Sequence, residues 1–497
     1  MHELTRSLAW FRPETALVIG LLLVVIADAF GGAARNLQAR LLTVGALAAA
    51  FGLALELQAE AVKGTLFSGM LVIDPLSVAF KLILIAAGLL TVLAFSFRNS
   101  RELHGLGQGE LMALVLALVL SCLLLAASND IVMLYLALEM VSITSYVMVA
   151  YLKGDRMSNE ASLKYVLFGA ASTGSMLYGF SLLYGLSGTT SLPGIQEFLA
   201  LGTDGADRFA VYAIVLLVVA GFGFKIAAVP FHFWCPDVYQ GAATPVTALL
   251  SVLPKAAGLG IVLRFFYGAF SLPGANAWDL DGLIGWPRLL MLLSVLTMTV
   301  GNVAALTQTN MKRLLAYSSI AHAGYLLMGV VALSENGARA LLVYLAAYLV
   351  MNLGAFLVVT LVHLHEGSFD LRDYPGLFRR SPLLALAMAF FLLSLVGIPP
   401  FVGFLAKLYV FAAVIEKGYG WFALVGALNA AIAAYYYFRV LKVMTIDEDD
   451  RERPAFSLAF ADRAWLTAFA LANLLPLLFW SRIEDWARGA LTLYAVR

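Results

Sequence analysis

Three lysines stand where lysines are costly: Lys225 in GFGFKIAAVPFHFW, Lys255 in SVLPKAAGLG and Lys407 in FVGFLAKLYVF, each deep in a hydrophobic stretch. An ammonium at the centre of a bilayer costs about 2.5–3.5 kcal/mol on the insertion scale, so such residues mark a function. Glu139 belongs with them. In IVMLYLALEMVSITSYVM it has eight uncharged residues before it, too many for the carboxylate to reach an interface. Desolvation penalises the charged form of both residue types, which brings carboxylate and ammonium within reach of one another's proton. A Glu139–Lys225 pair would act as a switch, since approach favours both charged forms. Separation, or a proton arriving on the glutamate, lets the lysine lose its own. Lys255, beside Pro254, fits a proton acceptor reached through water, and Lys407 a terminal donor toward the far side. The plainer reading of each is an ion pair or hydrogen bond that locks helices together.

Lys81 lies near the start of its span and is expected to snorkel to the interface. Lys164, in EASLKYVLFG, is one turn inside its helix; it either snorkels or tunes Glu139 and Lys225. His232 and His322 suit relay positions because imidazole titrates near neutrality. Ser142, Thr144, Ser318, Ser319 and Tyr435 to Tyr437 are able to hold water, though such residues are also ordinary helix contacts. Gly105, Gly107 and Gly109 in GLGQGE follow no strand, which argues against a dinucleotide fingerprint. Cys122 and Cys235 alone give no iron–sulfur, zinc or disulfide framework, so no metal site is expected and any redox centre belongs to another chain.

The elements that carry these residues must be membrane helices. The chain is 62% hydrophobic and 13% charged, against roughly 25% charged for a soluble protein. Its net charge of +1 gives no reason to expect a nucleic-acid partner. Apolar runs bounded by charges, glycine or proline predict an all-α polytopic fold of about fourteen spans. They fall near 15–32, 38–57, 76–97, 110–127, 130–151, 160–186, 208–233, 243–268, 287–308, 313–333, 338–364, 382–413, 420–444 and 462–481. The connections 189–207, 365–381 and 445–461 read as loops. The whole chain, 1–497, therefore reads as one transmembrane domain. Thr15–Phe30 is read as a retained first span, because no small-residue cleavage site follows it. With the N-terminus outside, Arg98, Arg101, Lys153, Arg156, Lys312, Arg313, Arg379 and Arg380 fall on the cytoplasmic side, in accord with the positive-inside rule.

Helix seven carries VPFHFW and helix twelve GIPPFVGF, each a proline interruption near a lysine. They are five helices apart. A repeat with an odd number of spans must be inverted in the membrane, and paired interrupted spans in two halves point to a transport site. Pro230 frees the carbonyl of Ile226, and Pro399 and Pro400 free those of Leu395 and Val396, because proline has no N–H.

The segments FKIAAVPFHFWCPDVYQGAATPVTALLSVLPKAAG, KRLLAYSSIAHAGYLLMG, RRSPLLALAMAFFLLSLVGIPPFVGFLAKLYVF and LNAAIAAYYYFRVLKVM resemble the antiporter-like subunits of respiratory complex I. Together with IDPLSVAFK they are most similar to the N-type subunits of bacterial NADH:quinone oxidoreductase. The resemblance implies three N-terminal helices (15–100), two inverted five-helix repeats (110–268 and 287–444) with helices seven and twelve broken, and a last helix (462–481). It implies Glu139, Lys225, Lys255 and Lys407 as the proton-translocating residues, and a half-channel in each repeat joined by a hydrophilic axis. A lysine at 407 suits N- and L-type subunits rather than M-type, and the chain end near Arg497, without a long lateral helix, suits N.

On this resemblance the chain would be a subunit of a proton-translocating NADH:quinone oxidoreductase, a translocase of the bacterial cytoplasmic (inner) membrane with its N-terminus on the periplasmic side. It would hold no cofactor, while NADH, FMN, iron–sulfur clusters and quinone would bind in partner subunits. Its partners would be related antiporter-like subunits, small membrane subunits and lipid. The other function class is a multisubunit cation/proton antiporter, which shares the helices and lysines but runs on an ion gradient. A third is a structural spacer, against which the four buried charges argue.

Overall fold

The computed structural model describes residues 2–30, 32–95, 102–103, 107–202, 205–273, 280–282, 285–448 and 453–491. Arg98, Arg101, Gly105 and Arg497 lie outside them. The amino-terminal part comprises α1 (His2–Trp10), α2 (Arg12–Phe30), α3 (Arg35–Ala59) and α4 (Pro75–Ala94). A first stretch then runs through α5 (Gly109–Ala127), α6 (Ile131–Val149), α7 (Arg156–Ser187), α8 (Leu192–Ala200), α9 (Gly205–Ile226), α10 (Trp234–Gly241) and α11 (Thr244–Ala269). A second runs through α12 (Trp286–Ala305), α13 (Met311–Val331), α14 (Glu335–Glu366), α15 (Leu377–Arg380), α16 (Pro382–Val396), α17 (Val402–Glu416) and α18 (Gly420–Thr445). The described chain closes with α19 (Phe460–Ala472) and α20 (Trp480–Gly489). Among the described residues, twelve helices are long and apolar enough to cross a membrane, with Pro382–Val396 a shorter apolar helix. Two antiparallel hairpins, β1 (Gly64–Leu66) with β2 (Leu71–Ile73) and β3 (Ser271–Pro273) with β4 (Leu280–Gly282), cover span ends. The all-α membrane class expected from composition is borne out.

The core lies where helices are apolar on every side, as buried membrane helices must be. The apolar windows of α11 and α13 are 100% and 94% buried, against 28% for α2 and α3, so the helices carrying Lys255 and His322 are central and the N-terminal pair is peripheral.

The two stretches are joined alike. Asp130 caps α6 through the amides of Val132 and Met133, and Asn310 caps α13 through those of Lys312 and Arg313. Ile131 N–H donates to Thr190 and Leu192 N–H to Asn129 (2.9 and 3.0 Å). The second stretch has the same exchange, Met311 to Phe369 and Leu371 to Thr309 (both 2.8 Å). Between these joints, α7 and α14 are each 32 residues long and end on a left-handed glycine, Gly188 or Gly367.

Several boundaries move from their sequence positions. Helix seven, expected at 208–233, stops at Ile226, resumes at Trp234 and continues to Gly241, because a proline cannot extend a regular ladder. Helix twelve, expected at 382–413, is split between Val396 and Val402. The last span, expected at 462–481, ends at Ala472, followed by a single 3-10 turn containing Pro476 and by α20. The loop 189–207 holds α8, whose Leu192, Ile195 and Leu199 recur at helical spacing and are buried.

Two buried ion pairs tie span ends together. Arg264 on α11 makes a bidentate bond to Asp74 (2.9 Å at both nitrogens) and reaches the Ala126 carbonyl with Nε (3.2 Å). The same carboxylate caps α4 through Ser77 N–H at 2.7 Å. Lys81 does not snorkel. It is 1% exposed and pairs at 2.7 Å with Glu14, itself 1% exposed, because α2 packs over that end of the bundle and leaves no path to water.

Candidate proton path

Lys225, Lys255 and Lys407 are 2%, 3% and 5% exposed, which excludes snorkelling for all of them. Lys225 sits on the last turn of α9, ahead of the break that holds Pro230. Its Nζ donates to Ser142 Oγ on α6 at 2.7 Å. Glu139 lies one turn before Ser142 on the same helix, and its Oε1 is buried with no hydrogen-bond partner. The expected Glu139–Lys225 ion pair is therefore not formed: the serine, a turn closer, takes the ammonium, and the carboxylate is left beside it.

Lys255 follows Pro254 inside α11. A Cβ at Gly258, one turn further on, would lie 3.1 Å from Lys225 Cγ, so the glycine lets the two lysine-bearing helices meet closely. Lys255 Nζ donates to Ser319 Oγ at 2.5 Å and also to the Ser319 carbonyl. From there polar and aromatic groups continue across the core. Tyr348 donates to Ser319 Oγ at 2.8 Å, and its ring lies 5.2 Å from that of His322. His322 Nδ1 bonds to Tyr344 Oη at 2.9 Å, and its ring is 5.9 Å from that of Tyr325. The face of Tyr325 lies 4.7 Å from Lys407 Nζ.

Lys407 is held by the second helix break. Its Nζ donates to the carbonyls of Leu395 (3.0 Å) and Val396 (2.7 Å), the two that Pro399 and Pro400 leave without an N–H partner. Gly397 closes α16 at φ +89, and a Cβ there would come within 2.9 Å of Lys407 Cδ. The position thus needs glycine both for its backbone and for the lysine's passage.

The remaining candidates lie apart. His232 is buried just past Pro230, with its ring 4.5 Å from that of Phe233. Lys164 is 38% exposed and pairs with Glu160 and Asp237, both at 2.8 Å. Asp237 also receives Arg313 at 2.6 Å, so it links α7, α10 and α13. Asp237 was not among the sequence candidates. A usable signal existed, since it is the one acidic or basic residue between Lys225 and Lys255, histidine aside. Among the described residues no cluster of His, Cys, Asp or Glu has the grouping of a metal site.

An all-helical membrane protein with two proline-broken helices and a row of buried lysines defines the class of antiporter-like ion-translocating subunits. The family model for the membrane region described as "NADH:quinone oxidoreductase/Mrp antiporter, TM" matches residues 128–433. NADH-quinone oxidoreductase subunit N of Anaeromyxobacter sp. (strain Fw109-5) is 46% identical, over 99% of this chain and 98% of that protein. A chain of respiratory complex I from Thermus thermophilus superimposes with a TM-score of 0.77 at 31% identity, covering 95% of this chain and 98% of that one. A chain of the Mrp complex from Dietzia sp. DQ12-45-1b gives 0.84 at 19% identity, covering 98% of each; that likeness is one of fold alone. The higher TM-score belongs to the more distant sequence, so fold cannot separate the two groups and sequence identity does. The chain belongs to the NADH-quinone oxidoreductase subunit N family.

Proposed function

We propose that this chain is a proton-translocating membrane subunit of an NADH:quinone oxidoreductase, moving protons along Glu139, Lys225, Lys255 and Lys407. The observation that carries the reading is the row from Lys255 through Ser319, Tyr348 and His322 to Tyr325 and Lys407, with Glu139 and Lys225 at its other end. Each ammonium donates to neutral hydroxyls or carbonyls rather than directly to a carboxylate, so releasing its proton breaks no ion pair. Water between these groups carries the proton from one to the next, and His322 bridges the stretch where hydroxyls alone are too far apart. His232 flanks the first break as a further relay, and Lys164 adjusts the field of that half through Asp237.

The two stretches 110–268 and 287–444 are inverted repeats in this reading, supported by their identical joints and equal long helices. The protein lies in the bacterial cytoplasmic (inner) membrane with its N-terminus periplasmic. Pro230, Pro399 and Pro400 are exposed on the isolated chain. Irregular backbone does not face lipid, so neighbouring membrane subunits cover these breaks, among them related antiporter-like subunits and small membrane subunits. NADH, FMN, iron–sulfur clusters and quinone are held by partner subunits, and quinone reduction there drives the path. The second reading, a cation/proton antiporter subunit, shares this fold and is separated from the first by sequence identity.

The test uses inverted membrane vesicles of wild type and Lys225→Ala, recording NADH oxidation and the acidification it drives. Both fall together in the variant while the complex stays assembled. Unchanged rates overturn the reading and turn attention to sodium-gradient-driven proton exchange.

A further inference from the structure

A cavity of about 570 Å³ opens where α5, the 151–155 turn and the end of α14 meet, and its lining includes Glu102, Glu110, Lys153, Asp155, His363 and Phe369. At about 30 Å³ of liquid volume per molecule it has room for a cluster of waters, and its lining offers them polar partners. It lies on the face that carries the lysine- and arginine-rich turns.

Its floor, where Glu102 and Phe369 lie, rests on a buried cation. Lys312, at the start of α13, is 1% exposed; its Nζ lies 3.6 Å from Glu102 Oε1 and donates to the Ala242 carbonyl at 2.5 Å. Glu102 Oε2 accepts the Thr244 N–H at 2.8 Å. Phe369, which lines the cavity, stacks its ring on His363 (3.9 Å), and Lys312 Nζ lies 4.6 Å from its centroid. The floor therefore rests on the turn between α10 and α11. From that turn polar groups lead inward. Thr247 Oγ1 donates to the carbonyls of Ala242 (3.4 Å) and Tyr239 (3.1 Å), Tyr239 Oη lies 3.4 Å from Ser319 Oγ, and Ser319 holds Lys255.

We propose that this cavity is the aqueous loading vestibule of the path, that the Glu102–Lys312 pair is its inner gate, and that the proton it admits is delivered to Lys255. The inference rests on the translocation reading and adds where the proton enters and what admits it. Only a proton moves: hydronium in the cavity protonates a Glu102 carboxylate oxygen, and the same O–H breaks when the carboxyl passes the proton to water on the Lys255 side. While protonated, Glu102 no longer holds Lys312 by charge, which opens the gap. Once emptied it recaptures the ammonium, which closes the gap.

The experiment uses the assembled complex in inverted vesicles carrying Gly154→Cys. Gly154 lines the cavity and a Cβ there meets no atom within 4 Å, while the native Cys122 and Cys235 are buried. A bulky membrane-impermeant maleimide is added, and NADH oxidation and acidification are compared before and after labelling of the same preparation. Both are expected to fall by half or more. Complete labelling with unchanged rates, or no labelling from this side, overturns the vestibule. Glu102→Gln keeps an acceptor for Thr244 but has no proton to pass; it is expected to slow pumping at unchanged complex content, and undiminished pumping removes Glu102 as the gate. Lys225→Ala is run in parallel. If it abolishes pumping while labelled Gly154→Cys does not, the vestibule fails and the path stands; if neither has an effect, the path itself fails.

Discussion

Buried charges near the span ends and buried charges at the centre are handled in opposite ways. Arg264 and Lys81 are each neutralised by a carboxylate, Asp74 and Glu14, in direct contact. Lys225, Lys255 and Lys407 are surrounded by serine hydroxyls, backbone carbonyls and an aromatic face. The difference separates structure from transport. An ion pair with no cavity beside it strands a buried partner when one member changes charge, so the Arg264–Asp74 and Lys81–Glu14 pairs are locks. An ammonium solvated by neutral dipoles can become an amine and leave only hydrogen bonds to rearrange. The central lysines meet that requirement, whereas Arg264 and Lys81 do not.

The largest expected effect comes from breaking a lock. Asp74→Ala leaves Arg264 buried and uncompensated, at a cost of about 3–5 kcal/mol. Assembled complex, quantified on native gels and by thermal unfolding in detergent, should fall sharply, while turnover per surviving complex stays near wild type. A variant that assembles normally but does not pump would place Asp74 with the central groups instead.

The central groups should show the reverse. Ser142→Ala removes the hydroxyl that holds Lys225, and hydrogen bonds to charged groups are worth about 1.5–3 kcal/mol. Coupled NADH oxidation should slow about tenfold or more, at normal complex content. In the second half, Tyr325→Leu removes the ring beneath Lys407, worth about 2 kcal/mol when desolvated, whereas Tyr325→Phe keeps the ring and loses only its hydroxyl. Pumping should drop in the first and hold in the second. If both drop equally, the hydroxyl matters and the ring does not.

The smallest effect sharpens the boundary between the two groups. Lys164 is half-exposed and shares the Asp237 carboxylate with Arg313. Exposed pairs of this kind contribute about 0–1 kcal/mol. Lys164→Met should leave stability unchanged within that range and alter pumping only modestly. A loss as deep as that of Ser142→Ala would move Lys164 onto the path.

The central row was legible because depth in a helix can be counted along a chain. Lys225, Lys255, Lys407 and Glu139 have long apolar flanks, and Pro230, Pro399 and Pro400 mark the interruptions directly. Which group faces which was not legible. Ser142 rather than Glu139 receives Lys225, because a rotation of one turn on α6 decides the contact and no pattern in the sequence sets it. Lys81, near a span end, was misread for a related reason. Hydropathy places Lys81 close to water, whereas tertiary cover from α2 removes that water. Lys81 was accordingly expected to snorkel and is instead sealed with Glu14.

The central claim is that Lys225 and Lys407 stand in series on one path. It is tested most directly by acidification rates in inverted vesicles carrying Lys225→Ala, Lys407→Ala and both substitutions, at matched complex content. A series path predicts that either single variant removes this subunit's coupled turnover and that the double variant is no worse than the more severe single. Independent losses that multiply in the double variant, or full pumping in either single variant, would contradict it.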